Sequence, residues 1–132
     1  MDTAVLKKAR WGVVLMGAVS GLFTLVLASL LLFLTVGLLG VTDLSDTGQF
    51  MVIAFALFFS QLISGYVSGR LASADQPAFH GSLGGIALYS IFAILSLAAG
   101  SPAPIFTLVF FTLVAAIIGY AGGALAARPR DE

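Results

Sequence analysis

No cysteine occurs in the chain. Disulfides, thiolate metal sites and cysteine nucleophiles are therefore excluded, and the absence says nothing about redox compartment. Charge is almost as scarce. Asp, Glu, Lys and Arg make up only 9% of the 132 residues, against roughly 25% in soluble domains. Six basic and six acidic residues cancel, so no net field draws nucleic acid to the surface. There is one histidine and one tryptophan.

The few charges are also confined. Residues 11–42, 47–69 and 76–127 contain no Asp, Glu, Lys or Arg. A bilayer core takes about 20 apolar residues per helix. Hydrophobic residues make up 60% of the sequence, and these runs accommodate four such helices. Lys7, Lys8 and Arg10 precede the first apolar run, as in a signal peptide, but the run far exceeds the roughly 7–15 apolar residues of a cleaved signal. It reads as a retained first span.

The expected fold is an all-α integral membrane protein, a single domain over residues 1–132, with helices at about 11–40, 50–72, 79–99 and 105–127. Trp11 follows the basic cluster, where an indole suits the headgroup zone. Thirty residues of helix rise about 45 Å, so helix 1 must tilt, project beyond the bilayer, or break near Gly37 or Gly40. Residues 41–49 form a polar loop with Asp43 and Asp46 and no base. Pro77 marks the next turn, and Gly100-Ser101-Pro102-Ala103-Pro104 divides the last run into two spans.

Orientation follows from the basic residues. With four spans, Lys7, Lys8, Arg10, Arg70, Arg128 and Arg130 fall on one side, and loops 41–49 and 100–104 on the other carry no Lys or Arg. The positive-inside rule then puts both termini in the cytoplasm, and the expected location is the cytoplasmic (inner) membrane. The stretch Gly65-Tyr66-Val67-Ser68-Gly69-Arg70-Leu71-Ala72 recurs as Gly119-Tyr120-Ala121-Gly122-Gly123-Ala124-Leu125-Ala126, with Gly, Tyr, Gly, Leu and Ala in register. Helices 1–2 and 3–4 are therefore expected to be two related hairpins of the same orientation, a parallel repeat rather than the inverted repeat of many transporters.

Each predicted helix carries one Gly-x-x-x-Gly pair: Gly17/Gly21, Gly65/Gly69, Gly81/Gly85 and Gly119/Gly123. Missing side chains at i and i+4 let another backbone approach closely. Packing within the chain is the expected use, and contact with another chain is the alternative. On helix 4, Thr112, Ala115, Ala116, Gly119, Gly122, Gly123 and Ala126 make a small stripe, with Phe106, Phe110, Leu113, Ile117 and Tyr120 mostly on the other side. On helix 2, Ala54, Gln61, Ser64, Gly65, Ser68 and Ala72 form a small and polar stripe, and Phe55, Phe59, Leu62 and Tyr66 a bulky one. Small faces should point inward and bulky ones toward lipid, a partner or a ring-shaped cofactor.

Gln61 is the most polar residue near a helix centre. Its amide needs partners within the bilayer, and Ser60, Ser64, Thr24 and Thr112 are the candidates. Structural hydrogen bonding is the expected role, with a polar path along Gln61, Ser64 and Ser68 as the alternative. His80 is the candidate cofactor-binding residue, since neutral imidazole can ligate a haem or chlorin metal axially. Only Asp75 is near enough in sequence to complete a site there, so an interfacial hydrogen-bonding role is the competing expectation. Arg70 and Asp75 are a candidate ion pair. No metal site, phosphate-cradling loop or nucleophile with a base is recognisable. Four-helix multidrug exporters rely on a membrane-embedded carboxylate, and this chain has none.

Residues Gly65 to Ala72, followed by His80-Gly81-Ser82-Leu83-Gly84, resemble a group of small four-helix bacterial membrane proteins described as YrzE-like. That group carries Gly-x-x-Ala/Gly-Gly-Arg-x-Ala and then His-Gly, and here Ser68 stands where Ala or Gly is expected. The resemblance covers the middle third of the chain. It implies the four-helix fold and adds no activity.

The expected function is non-enzymatic: an accessory or structural subunit of a larger membrane assembly, such as a photosynthetic or respiratory complex, with lipid and other membrane subunits or itself as partners. The rival classes are a small homo-oligomeric channel or transporter, and a subunit contacting a pigment or quinone near His80 or the Phe-rich half.

Overall fold

A computed structural model describes residues 10–41, 43–72, 76–101 and 103–127. Four helices account for nearly all of them: α1 (Trp11–Leu38), α2 (Asp46–Leu71), α3 (Pro77–Ala98) and α4 (Ile105–Ala126). All four are long and apolar enough to cross a membrane. No strand is found among the described residues.

The helix ends follow local chemistry. α1 continues unbroken through Gly37 and stops two residues short of the expected Gly40. Gly40 itself adopts φ +82°, the left-handed conformation that closes a helix. Its N–H donates to Gly37 O at 3.0 Å, and Val41 N–H donates to Val36 O at 3.2 Å. α3 ends the same way. Gly100 has φ +83°, with Gly100 N–H on Leu97 O at 3.0 Å and Ser101 N–H on Ser96 O at 2.9 Å.

α2 begins at Asp46, four residues before the expected Phe50. The apolar run starts at Phe50, but the helix starts where its cap is. Ser45 Oγ accepts from Gly48 N–H at 3.1 Å, and Asp46 places negative charge at the helix N-terminus. α3 begins at Pro77 rather than 79, because proline is well suited to the first helical position.

Contact registers give the helix directions. Gly17 and Gly21 of α1 meet Ser68 and Ser64 of α2 in reverse order, so these two helices run antiparallel. Gly65 and Gly69 of α2 meet Gly119 and Gly123 of α4 in the same order, so this pair runs parallel. α2 and α3 form the centre and each touches all the others, whereas α1 and α4 flank them without meeting.

The two ends of the bundle differ in packing. Every buried described residue lies in the half that holds the starts of α1 and α3 and the ends of α2 and α4. The other half, from Val26 through Phe55 and from Ser90 through Val114, contains none. Side-chain size accounts for this, because interaxial distance follows the residues at the contact. All four glycine pairs are in the first half, here called the glycine end. Most of the eleven phenylalanines are in the second.

Candidate functional site

Two seams run through the glycine end. In the first, α2 presents Ser60, Ser64 and Ser68, one helical turn apart and all fully buried. Gly17 of α1 lies against Ser68 and the Ser64 carbonyl, and Gly84 of α3 lies against the same two groups. A Cβ built on Gly21 would sit 2.7 Å from Ser64 Cβ, 2.7 Å from Leu88 Cδ2 and 2.9 Å from Ser60 O. Only hydrogen fits at these glycines, and the small serines fill what space remains. Gly84 is a packing residue that the i, i+4 search did not single out. Its signal was the adjacent Gly84-Gly85 pair.

The second seam is backbone against backbone. Gly65 packs on the Gly119 carbonyl, Gly81 on Gly119 and Gly123, and Gly85 on Ala115 and Gly119. A Cβ on Gly69 would lie 2.8 Å from Gly123 Cα. Gly122 sits against the Leu62 carbonyl, and Gly123 against Pro77 O. All eight glycines of the four pairs thus find their close neighbours within this one chain.

Hydroxyl groups in the seams turn mostly to their own helix. Ser60 Oγ donates to Leu57 O at 2.8 Å, Thr24 Oγ1 to Ser20 O at 2.9 Å, and Thr112 Oγ1 to Leu108 O at 2.6 Å. Ser and Thr commonly bond a carbonyl one turn back. Ser68 Oγ reaches across to Val13 O of α1 at 3.4 Å, a long and weak bond. Ser64 Oγ has no partner. The hydroxyls expected to serve the Gln61 amide are therefore spent elsewhere or unpaired. Gln61 itself is buried, at 4% exposed.

His80 lies at the end of the first seam, 1% exposed, in the first turn of α3. Its Nε2 accepts from the backbone N–H of Arg10 at 3.1 Å. Its Nδ1 lies 2.9 Å from the Gln76 carbonyl. A carbonyl can only accept and an amide N–H can only donate, so the ring is neutral with its proton on Nδ1. Phe79 packs edge-on against the imidazole, with centroids 5.5 Å apart. Both ring nitrogens are thus engaged by backbone, and neither presents a free lone pair to a metal or ring cofactor. Gln76 adopts the left-handed conformation at φ +47° and ψ +61°, unusual for a residue other than glycine. Sequence reasoning had no signal for that residue or for Arg10.

The Phe-rich half divides between contact and exposure. Phe111 packs near Tyr89, centroids 6.1 Å apart. Phe55, Phe59, Phe106 and Phe110 are exposed. A crevice lined by Phe33, Val36, Gly37, Val41, Leu44 and Gln49 lies between the end of α1 and the start of α2. Among the described residues no group of His, Cys, Asp and Glu could hold a metal ion. Asp75, the expected partner of Arg70, lies outside the described residues, as do Lys7, Lys8, Arg128 and Arg130.

No family model matches the chain, and neither a curated protein nor a solved structure does.

Proposed function

We propose that this chain is a non-enzymatic integral membrane protein that serves as an accessory or structural subunit of a larger membrane assembly. The observation that carries this reading is the closure of the polar seam. Ser60, Ser64 and Ser68 are fully buried against glycines of α1 and α3, and Gln61 beside them is 4% exposed. His80 is likewise used up by the chain's own backbone. What remains for recognition is the outer surface. α1 and α4 lie on opposite flanks and expose Phe23, Leu30, Phe106, Phe110, Leu113 and Ile117. Such faces suit lipid and the helices of neighbouring subunits.

The proposed placement is the cytoplasmic membrane with both termini in the cytoplasm. Arg10 and Arg70 mark the glycine end, whereas Asp43 and Asp46 lie at the other, which accords with the positive-inside rule. The two hairpins are proposed as a parallel repeat. The matching Gly-Tyr-x-x-Gly stretches on the parallel helices α2 and α4, and the matching glycine caps after α1 and α3, support that origin. The resemblance of the middle third to small four-helix bacterial membrane proteins points the same way.

The test is to solubilise membranes of the native host in a mild detergent and identify what co-migrates with the chain. Migration within a larger complex of fixed composition supports the subunit reading and names the assembly. Migration alone as a homo-oligomer contradicts it and favours the channel or transporter class, to be followed by flux assays on Gln61 variants.

A further inference from the structure

We propose that His80 is a proton-operated latch that fastens the start of α1 to the start of α3. The two elements are 70 positions apart in sequence, and the imidazole bridges them. On one side Nδ1–H donates to Gln76 O at 2.9 Å. On the other, Nε2 accepts the Arg10 N–H at 3.1 Å. Arg10 is where α1 begins: its carbonyl accepts from Val13 and Val14 N–H, at 2.9 and 3.1 Å. No side chain caps this helix start. The His80 bond therefore ties Arg10, the residue at which α1 starts, to α3.

Protonation acts on one of the two bonds only. A second ring proton goes to Nε2 and turns an acceptor into a donor. Two N–H groups then face each other across the Arg10 contact, and that bond is lost. The Nδ1–H bond to Gln76 survives, and the Gln76 carbonyl also keeps the backbone N–H of His80, at 3.1 Å. The ring thus stays fixed to α3 while it releases α1. Val13, Val14 and Gly17 continue to hold the body of α1 in the bundle, so the release is confined to the segment around Arg10 and Trp11.

The charged and titratable groups of the packed elements leave the imidazole as the responsive one. α1 contributes Arg10 and α2 contributes Arg70 at this end, and both remain cationic throughout. Asp46 is at the opposite end of α2. Tyr66, Tyr89 and Tyr120 are the other titratable side chains on α2, α3 and α4. α4 has no charged residue within its span. Lys7, Lys8, Asp75 and the residues from Arg128 onward lie outside the described residues. Protonation therefore adds positive charge to an end whose described residues already include Arg10 and Arg70.

The chain supplies its own reporter. Trp11 is the sole tryptophan and is adjacent to Arg10, and His80 is the sole histidine. The experiment follows Trp11 emission and its quenching by iodide in the purified protein in lipid nanodiscs as the pH is lowered from about 8 to about 5. The expected result is a change in both that titrates with a single proton in the wild-type protein and is absent in His80→Gln, whose amide does not titrate there. A flat wild-type response, or an equal titration in His80→Gln, overturns the proposal. Should the variant fail to fold, ring nitrogen NMR of the wild-type protein decides. A neutral ring with its proton on Nδ1 at pH 8, replaced by imidazolium on acidification as the Arg10 amide signal moves, is the expected result. An Nε2–H tautomer at pH 8 overturns it.

Discussion

The Cβ position of Gly65 on α2 is occupied by the carbonyl of Gly119 on α4. Neither backbone has room to retreat, because Gly119 is also pressed against Gly81 and Gly85 of α3. One residue thereby sets the spacing of three helices.

Replacing Gly119 should separate those helices. Gly119→Leu should reduce the yield of folded protein in detergent by at least about tenfold, since forced overpacking costs about 1–3 kcal/mol or more. Phe110→Leu, on the exposed face of the same helix, should leave the yield nearly unchanged. Equal yields of the two variants would show that the close contact does not hold the bundle.

The unpaired hydroxyl of Ser64 makes the opposite prediction. A buried polar group without a partner costs about 1–3 kcal/mol, so Ser64→Ala should unfold at the same or a higher denaturant concentration than wild type. Ser68→Ala should cost little, because its bond to Val13 O is long, at 3.4 Å. A marked loss of stability in Ser64→Ala would mean that its hydroxyl is paired after all.

Two glycines near the end of α1 separate backbone conformation from packing. Gly40 needs its left-handed φ of +82°, so Gly40→Ala should destabilise by about 1–2 kcal/mol. Gly37 lies inside the helix with nothing near its Cβ position, and Gly37→Ala should stabilise by about 0.5–1 kcal/mol. Thermal unfolding of the two variants in one detergent gives the comparison. A gain for Gly40→Ala would contradict the cap seen here.

These contrasts show which features a sequence can carry. The four apolar spans were legible because the bilayer demands a run of apolar residues long enough to register in any window. The start of α2 was not, because Asp46 to Gln49 are polar and only the cap at Ser45 reveals that they are helical. The glycine pairs were visible as an i, i+4 spacing. Which helix each one meets was not, since a missing side chain names no partner. Gly84 escaped notice as a packing residue for the same reason, and Ser60 was legible only as a partner for Gln61: the importance of both lies in what faces them. The His80 junction was least accessible. It depends on a backbone N–H at Arg10 and a left-handed Gln76, and neither has a signature in residue type.

The central claim is that the glycine end closes within one chain and seals the serine seam. The absence of native cysteine makes it directly testable. A Cβ on Gly17 would lie 3.0 Å from Ser68 Cβ and 2.7 Å from Ser64 O, so a bridge with the usual Cβ separation of roughly 3.5–4.5 Å requires α1 to stand off from α2 by up to about an ångström. The measurement is oxidation of the double variant Gly17→Cys with Ser68→Cys in membranes, followed by non-reducing electrophoresis and mass analysis. The predicted result is a monomer with an internal disulfide linking α1 to α2. A disulfide-linked dimer, or two thiols that remain free and open to modification, would contradict the account.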